Sequence, residues 1–268
     1  MSESTPIRAA AAPPFVLLHG GRHGGWAWQR VAPHLIAAGH AVHTPTLTGL
    51  GERSHLLTPE VGLETHVADL LAVFERDQLD DVVLVAHSYG GIVACAALET
   101  LRDRVRSLVL IDAQMPLTGE SLFDVVDPAK AEITRELIRT GGDGWFIPVS
   151  DASFWGLSDP ADIAWVNTQL TPQPARSYSD PVTSTEYAHT HPYTFVECSP
   201  SFLSERELEV HRRRAAADPG RVRYLRAPGG HEAMVSHPEG VAQILLASLD
   251  PPSAAAVGGR NGREEVRR

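Results

Sequence analysis

The chain contains only two cysteines, Cys95 and Cys198, far apart in the sequence. Two thiols build no disulfide framework, so reduced and buried cysteines are expected. Long apolar runs are missing too: none approaches the ~18 residues that a membrane span needs. Met1 to Pro14 carries alanine and proline but no basic segment followed by a long apolar stretch, so no signal peptide is read. Positive charge is in deficit. The formal net charge is −10 over 268 residues, which argues against nucleic acid as a partner. His189-Thr190-His191 has no Cys, Asp or Glu at ligand spacing, so no metal site is expected. What is present is 43% hydrophobic and 21% charged residues, enough for a sizeable core. The reading is a cytoplasmic globular protein with no membrane partner; a homodimer is compatible with it.

Short apolar runs alternate with helical periodicity. Phe15 to Leu18, Ala41 to Thr44, Asp81 to Ala86 and Val105 to Ile111 read as strands. Between them, Trp28, Val31, Leu35 and Ile36 fall at helical spacing, as do Leu63, Val67, Leu70, Leu71 and Phe74. This alternation predicts an α/β fold: a doubly wound, mostly parallel sheet covered on both faces. It breaks at Ala113 and resumes at Tyr193, with strands at Tyr193 to Cys198 and Val222 to Arg226. Helices are predicted at Leu203 to Ala216 and Glu239 to Leu249, the latter with a Ser236/Glu239 capping box. The chain thus divides into a core at 15–112 and 193–250 and an inserted helical cap at 113–192. A flexible tail is expected at 1–14 and a disordered one at 251–268. The cap holds eight of the seventeen aromatic residues. They either form its own small core or line an apolar pocket, and Trp145, Phe146, Trp155 and Trp165 are the candidate substrate contacts.

His87-Ser88-Tyr89-Gly90-Gly91 lies between a β-branched strand and a helix rich in small residues. A serine there, with glycine two residues later, has the pattern of a nucleophile elbow, although Ala86 takes the place usually held by glycine. A serine hydroxyl needs an adjacent base. His231 follows the last strand on a glycine-bearing loop, and in a doubly wound sheet such loops converge on one edge with Ser88. The other histidines read differently. His34, His40, His55, His66 and His211 look like surface or helix-end residues, and His87 packs under the elbow. An oxyanion would be held by the N–H of Tyr89 and that of Gly21, in the loop after the first strand.

The segments Leu18-His19-Gly20-Gly21, His23-Gly24-Gly25-Trp26, Pro45 to His55, His87 to Gly91 and Gly230-His231-Glu232-Ala233-Met234 together resemble α/β-hydrolases. More narrowly, they are similar to the branch of bacterial carboxylesterases and pyrethroid hydrolases, plant methylesterases and hydroxynitrile lyases. Leu170-Thr171-Pro172-Gln173-Pro174 is similar to the bacterial esterases as well. The resemblance runs from about Phe15 to Leu249. It implies a Ser-His-acid triad, an apolar pocket under the cap, no cofactor, and a small ester or lactone as substrate, cleaved through an acyl-enzyme.

The chain departs from this family at the acid. Ser201 stands where the family's aspartate would be. Asp112, at the end of the strand before the cap and 24 residues after Ser88, is the candidate. Some α/β-hydrolases take their acid from this strand end; an aspartate there can also simply start a loop. Glu197 and Glu205 are the alternatives. The missing acid also admits a biosynthetic cyclase or isomerase, or a ligand-binding use of the fold. A hydroxynitrile lyase is disfavoured, because those relatives place lysine where this chain has Glu232.

Overall fold

The computed structural model describes residues 12–253. Most of the two expected tails lies outside the described residues. Strands β1 (Phe15–Leu18) and β2 (Val42–His43) flank helix α1 (Ala32–Ala37). Helix α2 (Leu63–Arg76), β3 (Val82–His87), α3 (Gly90–Leu101) and β4 (Val105–Ile111) follow. Next come the elements of the insertion: α4 (Leu122–Val125), α5 (Pro128–Gly141), β5 (Phe146–Ile147), α6 (Pro160–Asn167), β6 (Gln173–Pro174), α7 (Arg176–Ser179) and α8 (Glu186–Thr190). The chain then returns through β7 (Tyr193–Ser199), α9 (Glu205–Ala217), β8 (Val222–Pro228), α10 (Ala233–Ser236) and α11 (Pro238–Leu246).

Six strands form one sheet in the order β2-β1-β3-β4-β7-β8, and every pairing is parallel. A parallel sheet needs both faces covered, and the period of two along each strand supplies two apolar faces. Val16, Leu18, Leu84, Ala86, Leu108 and Leu110 pack with α2, α3 and α9. The alternate residues Phe15, Leu17, Val83, Val85, Val109 and Ile111 pack with Trp28, Leu35, Val241 and Leu245 on the other side.

The order reverses between β1 and β3. The chain runs from β1 out to β2, then crosses back to β3 on β1's other side. Loops leaving β1 and β3 therefore open a crevice at the carboxyl edge of the sheet, the usual place for a ligand in such folds. Between β4 and β7 the insertion is mainly helical. Aspartates cap two of its helices: Asp127 accepts from the N–H groups of Ala129 and Lys130, and Asp159 from those of Ala161 and Asp162. Each is followed by proline at the first helical position, where no N–H is needed. The two-residue strands β5 and β6 pair antiparallel, which no local periodicity announces.

The expected capping box at Ser236 does not form. Ser236 ends α10, its hydroxyl donates to the carbonyl of Glu232, and α11 starts at Pro238. Among the described residues, no helix is long and apolar enough to cross a membrane.

Candidate active site

Ser88 occupies the turn between β3 and α3 with φ of +52°, a left-handed conformation that costs a non-glycine residue about 1–3 kcal/mol. The turn closes through Gly91 N–H donating to Ser88 O at 2.9 Å, and it abuts β4 through Ser88 N–H donating to Ile111 O at 3.2 Å. Its neighbours must be small. A Cβ on Gly90 would lie 2.7 Å from the His19 carbonyl oxygen, and one on Gly91 would lie 2.4 Å from that of Gln114. Ala86, buried and in register with Leu18 and Leu110, is accommodated within the sheet.

His231, three residues past β8, is 3% exposed. Its Nδ1 lies 2.7 Å from Asp112 Oδ2. With the Nδ1 proton donated to that carboxylate, Nε2 is left unprotonated, as a base requires. Ser88, His231 and Gly21 all line one cavity. Neither the Ser88 hydroxyl nor His231 Nε2 makes a hydrogen bond among the described residues, so both are free to meet a ligand. The backbone of His231 is held from below, where His87 Nε2 donates to its carbonyl at 3.0 Å. Burial, and then the charge His231 would carry, drive the His87 pKa down to about 3, so His87 stays neutral.

Asp112 is fully buried at the end of β4, with φ of +44°. Besides His231, it accepts from the Phe202 N–H at 2.9 Å and from the Ser201 hydroxyl at 2.5 Å. Burial opposes its charge. The hydrogen bonds from His231, Ser201 and Phe202 outweigh that penalty and hold its pKa below the ordinary value. Ser201, expected from the resemblance to stand at the acid position, is a donor to a carboxylate at the end of β4. The alternatives lie elsewhere. Glu197 binds the Tyr224 hydroxyl at 2.6 Å and the Arg226 guanidinium at 3.1 Å, and Glu205 is exposed against Arg212.

The loop after β1 is pinned by two histidines. His19 Nε2 accepts from the Leu47 N–H, so its Nδ1 carries the proton and donates to Gly20 O at 2.7 Å. That carbonyl shares a peptide group with the Gly21 N–H and points opposite to it. The ring stays neutral, because burial lowers the His19 pKa to about 3. His23 Nδ1 in turn lies 2.7 Å from the Gly21 carbonyl. Neither the Gly21 nor the Tyr89 N–H donates to a protein group among the described residues.

His23 Nε2 is 3.2 Å from Glu232 Oε1, and both residues are almost completely buried. Burial opposes the charge of each. The Glu232 carboxylate nonetheless raises the His23 pKa, and the His23 imidazolium pulls that of Glu232 down to about 2. The signs define a window. The carboxylate's contribution is present above its ordinary pKa near 4.5 and lost as pH falls toward 2. The histidine's contribution is complete below its ordinary 6.5 and fades as pH rises through its elevated value. Glu232→Gln should thus cost about 3–5 kcal/mol at pH 5–6, as breaking a buried pair does. The deficit should shrink at more acid and more alkaline pH, as urea unfolding across a pH series will show.

The cavity encloses about 900 Å³, open solvent at its mouth included. Of the four candidate contacts, only Trp155 lines it. Trp145 and Phe146 pack on each other at 5.1 Å, and Trp165 stands edge-on to Trp26 beneath the Arg30 guanidinium. The walls come instead from Phe123, Phe154, Tyr178 and Phe202, with aliphatic residues of α4 and α5. Phe154 and Tyr178 are cap aromatics visible in the sequence, but nothing local distinguishes a wall from a core position.

Three histidines are not at the surface. His66 is buried, with Nε2 against the Thr48 carbonyl and Nδ1 accepting from the Tyr89 hydroxyl at 2.7 Å. His211 stacks on Phe195 at 3.9 Å, and His40 is buried against Pro13. Each occupies a helix face or end whose polar look hid a hydrogen-bond partner.

The Alpha/beta hydrolase family matches residues 15–244. The carbendazim hydrolyzing esterase of Nocardioides sp. (strain SG-4G) is 40% identical over 178 residues, 63% of this chain and 72% of that protein. Methylesterase 9 of Arabidopsis thaliana is 37% identical over 123 residues, 46% of this chain and 48% of its own length, so the match covers about half of the plant protein. Among solved structures, an extracellular alpha/beta-hydrolase from a Paenibacillus species superposes with a TM-score of 0.75 at 21% identity, covering 88% of this chain and 98% of that one. A match across most of the chain, on the six-stranded sheet and its crevice, places the chain in the alpha/beta hydrolase family, in the branch of bacterial esterases and plant methylesterases, an enzyme of the carboxylic-ester hydrolase class.

Proposed function

We propose that this enzyme cleaves a carboxylic ester through an acyl-enzyme on Ser88, with His231 as general base and then general acid, and Asp112 as the residue that orients it. The Ser88 oxygen attacks the ester carbonyl as His231 Nε2 takes its proton. The resulting oxyanion is held by the Gly21 and Tyr89 N–H groups, neither of which donates to a protein group among the described residues. His231 returns the proton to the leaving alcohol. Water, deprotonated by the same nitrogen, then releases the acid. Asp112 holds the imidazole in the tautomer this needs and stabilises the imidazolium formed at each step.

The observation that carries the reading is the 2.7 Å contact between His231 Nδ1 and Asp112 Oδ2, in a cavity that also exposes Ser88. A hydroxynitrile-lyase reading has no such support. The place of its lysine is held by Glu232, which is engaged with His23.

A p-nitrophenyl ester supplied in excess should give a burst of one p-nitrophenol per active site. An alkyl phosphonofluoridate should add one phosphonyl group, found by mass spectrometry on the peptide containing Ser88. A linear release with no burst, together with labelling elsewhere or nowhere, would remove the acyl-enzyme from the proposal.

A further inference from the structure

The charged groups of the catalytic cavity are unusual for so acidic a chain. Of its lining residues only Glu232 is a carboxylate, and His23 neutralises it. Two cations line the same cavity with no carboxylate within 4.0 Å among the described residues: Arg22 and Lys130, the latter the chain's one lysine. Arginines elsewhere are mostly paired, for example Arg30 with Asp162, Arg53 with Asp69 and Arg226 with Glu197.

Arg22 is 7% exposed and follows the candidate oxyanion donor Gly21 directly. Its Nε donates to Pro148 O at 3.2 Å, and the guanidinium lies 5.6 Å from the Trp155 ring centre. No hydrogen bond from its two terminal nitrogens is found among the described residues, and these nitrogens are not sealed from solvent as buried orphans would be. The backbone is held in a left-handed conformation, φ +66°. The Arg22 N–H donates to Gln173 Oε1 at 2.7 Å, and its carbonyl accepts from the Thr171 N–H at 3.0 Å. The side chain is therefore aimed by a rigid base. Lys130, on α5, donates to the Phe202 carbonyl and sits 3.7 Å from the centre of that ring. A buried cation without a counter-charge is costly, and the cost is offset when a ligand brings the counter-charge.

We infer that the cavity takes esters bearing a carboxylate on an otherwise apolar body, with Arg22 as the partner of that carboxylate and Lys130 as a second attracting charge. This rests on the esterase reading and names its substrate class. Leu122, Val126, Ile133 and Leu137 enclose the apolar part. Arg22 is then a specificity-determining residue, and its planar fork suits a carboxylate.

The test compares monomethyl glutarate, anionic at pH 7, with dimethyl glutarate. The parent enzyme should favour the anionic ester in kcat/KM by about tenfold or more, the range of a charge-assisted pair. Arg22→Gln should erase most of that ratio, Lys130→Gln a smaller part, and Arg22→Lys should retain more of it than Arg22→Gln. Added salt should slow the anionic ester selectively. A ratio at or below one in the parent overturns the inference. So does an equal loss on both esters in Arg22→Gln, which would make Arg22 a strut for the loop or a helper of the oxyanion.

Binding supplies a readout independent of turnover. Glutarate should bind the parent about tenfold or more tighter than Arg22→Gln in calorimetry; equal binding overturns the inference. Failure to hydrolyse either ester, with that difference intact, would count against the esterase reading alone.

Discussion

Replacing Ser88 by alanine should abolish ester turnover, lowering kcat by about 10⁵–10⁶-fold, while leaving the fold unchanged. The size follows from what a serine nucleophile contributes within its triad: without the attacking oxygen, the base and oxyanion donors have nothing to act on. The neutral fold follows from the structure. The Ser88 hydroxyl makes no hydrogen bond among the described residues, and alanine tolerates φ of +52° about as poorly as serine does. Urea unfolding should therefore agree between parent and variant within about 0.5 kcal/mol. Steady-state assays on an activated ester, with the variant purified free of parent enzyme, measure the loss. Activity within about a hundredfold of the parent would leave water attack without an acyl-enzyme as the route.

Asp112→Asn should lower kcat by about 10,000-fold, again with the fold retained. Asparagine is nearly isosteric and is among the few residues that enter the left-handed region readily, which Asp112 occupies at φ +44°. Its one amide oxygen, in the place of Oδ1, can still accept from the Ser201 hydroxyl, whereas the NH2, in the place of Oδ2, no longer accepts from the Phe202 N–H. It also loses the charge facing His231 Nδ1. An amide N–H turned toward that nitrogen forces the opposite tautomer, and Nε2 then carries a proton and cannot act as a base.

Ser201 offers a second arm to this experiment. Its hydroxyl touches Asp112 Oδ1, so a carboxylate at 201 would reach the same pocket. In the Asp112→Asn background, Ser201→Asp should recover a substantial part of the lost rate. In the parent background it should impair activity, because two carboxylates at that distance cannot both ionise. A loss of less than tenfold in Asp112→Asn would take Asp112 out of the triad.

The strands were legible because a sheet covered on both faces demands continuous apolar runs, and Phe15 to Leu18 and Val82 to Ala86 are such runs. Ser88 was legible because its turn requires small residues at fixed neighbouring positions, and Gly90 and Gly91 meet backbone oxygens where a Cβ would clash. His231 followed from its place after the last strand. The cavity walls were another matter. Trp145, Phe146 and Trp165 look as suitable as Trp155, yet only Trp155 lines the cavity. The short helices and the two-residue β5–β6 pairing of the insertion decide which aromatic faces inward, and both depend on contacts far along the chain. The last helix shows the same limit. Ser236 fits a capping box by spacing, but its hydroxyl is taken by the Glu232 carbonyl one turn earlier.

By itself, then, the sequence determined the sheet, the elbow at Ser88, the histidine that would serve it, and the family. These rest on local rules: apolar period, turn sterics and short motifs. Only the tertiary structure brought Asp112 to His231, turned Ser201 from an absent acid into a donor for that carboxylate, and buried Glu232 against His23. It alone left Arg22, among the described residues, without a counter-charge in the cavity that Ser88 also lines. The physical reason is shared by all of these. Each depends on the distance between groups on different strands and loops, and the pairing of strands sets that distance.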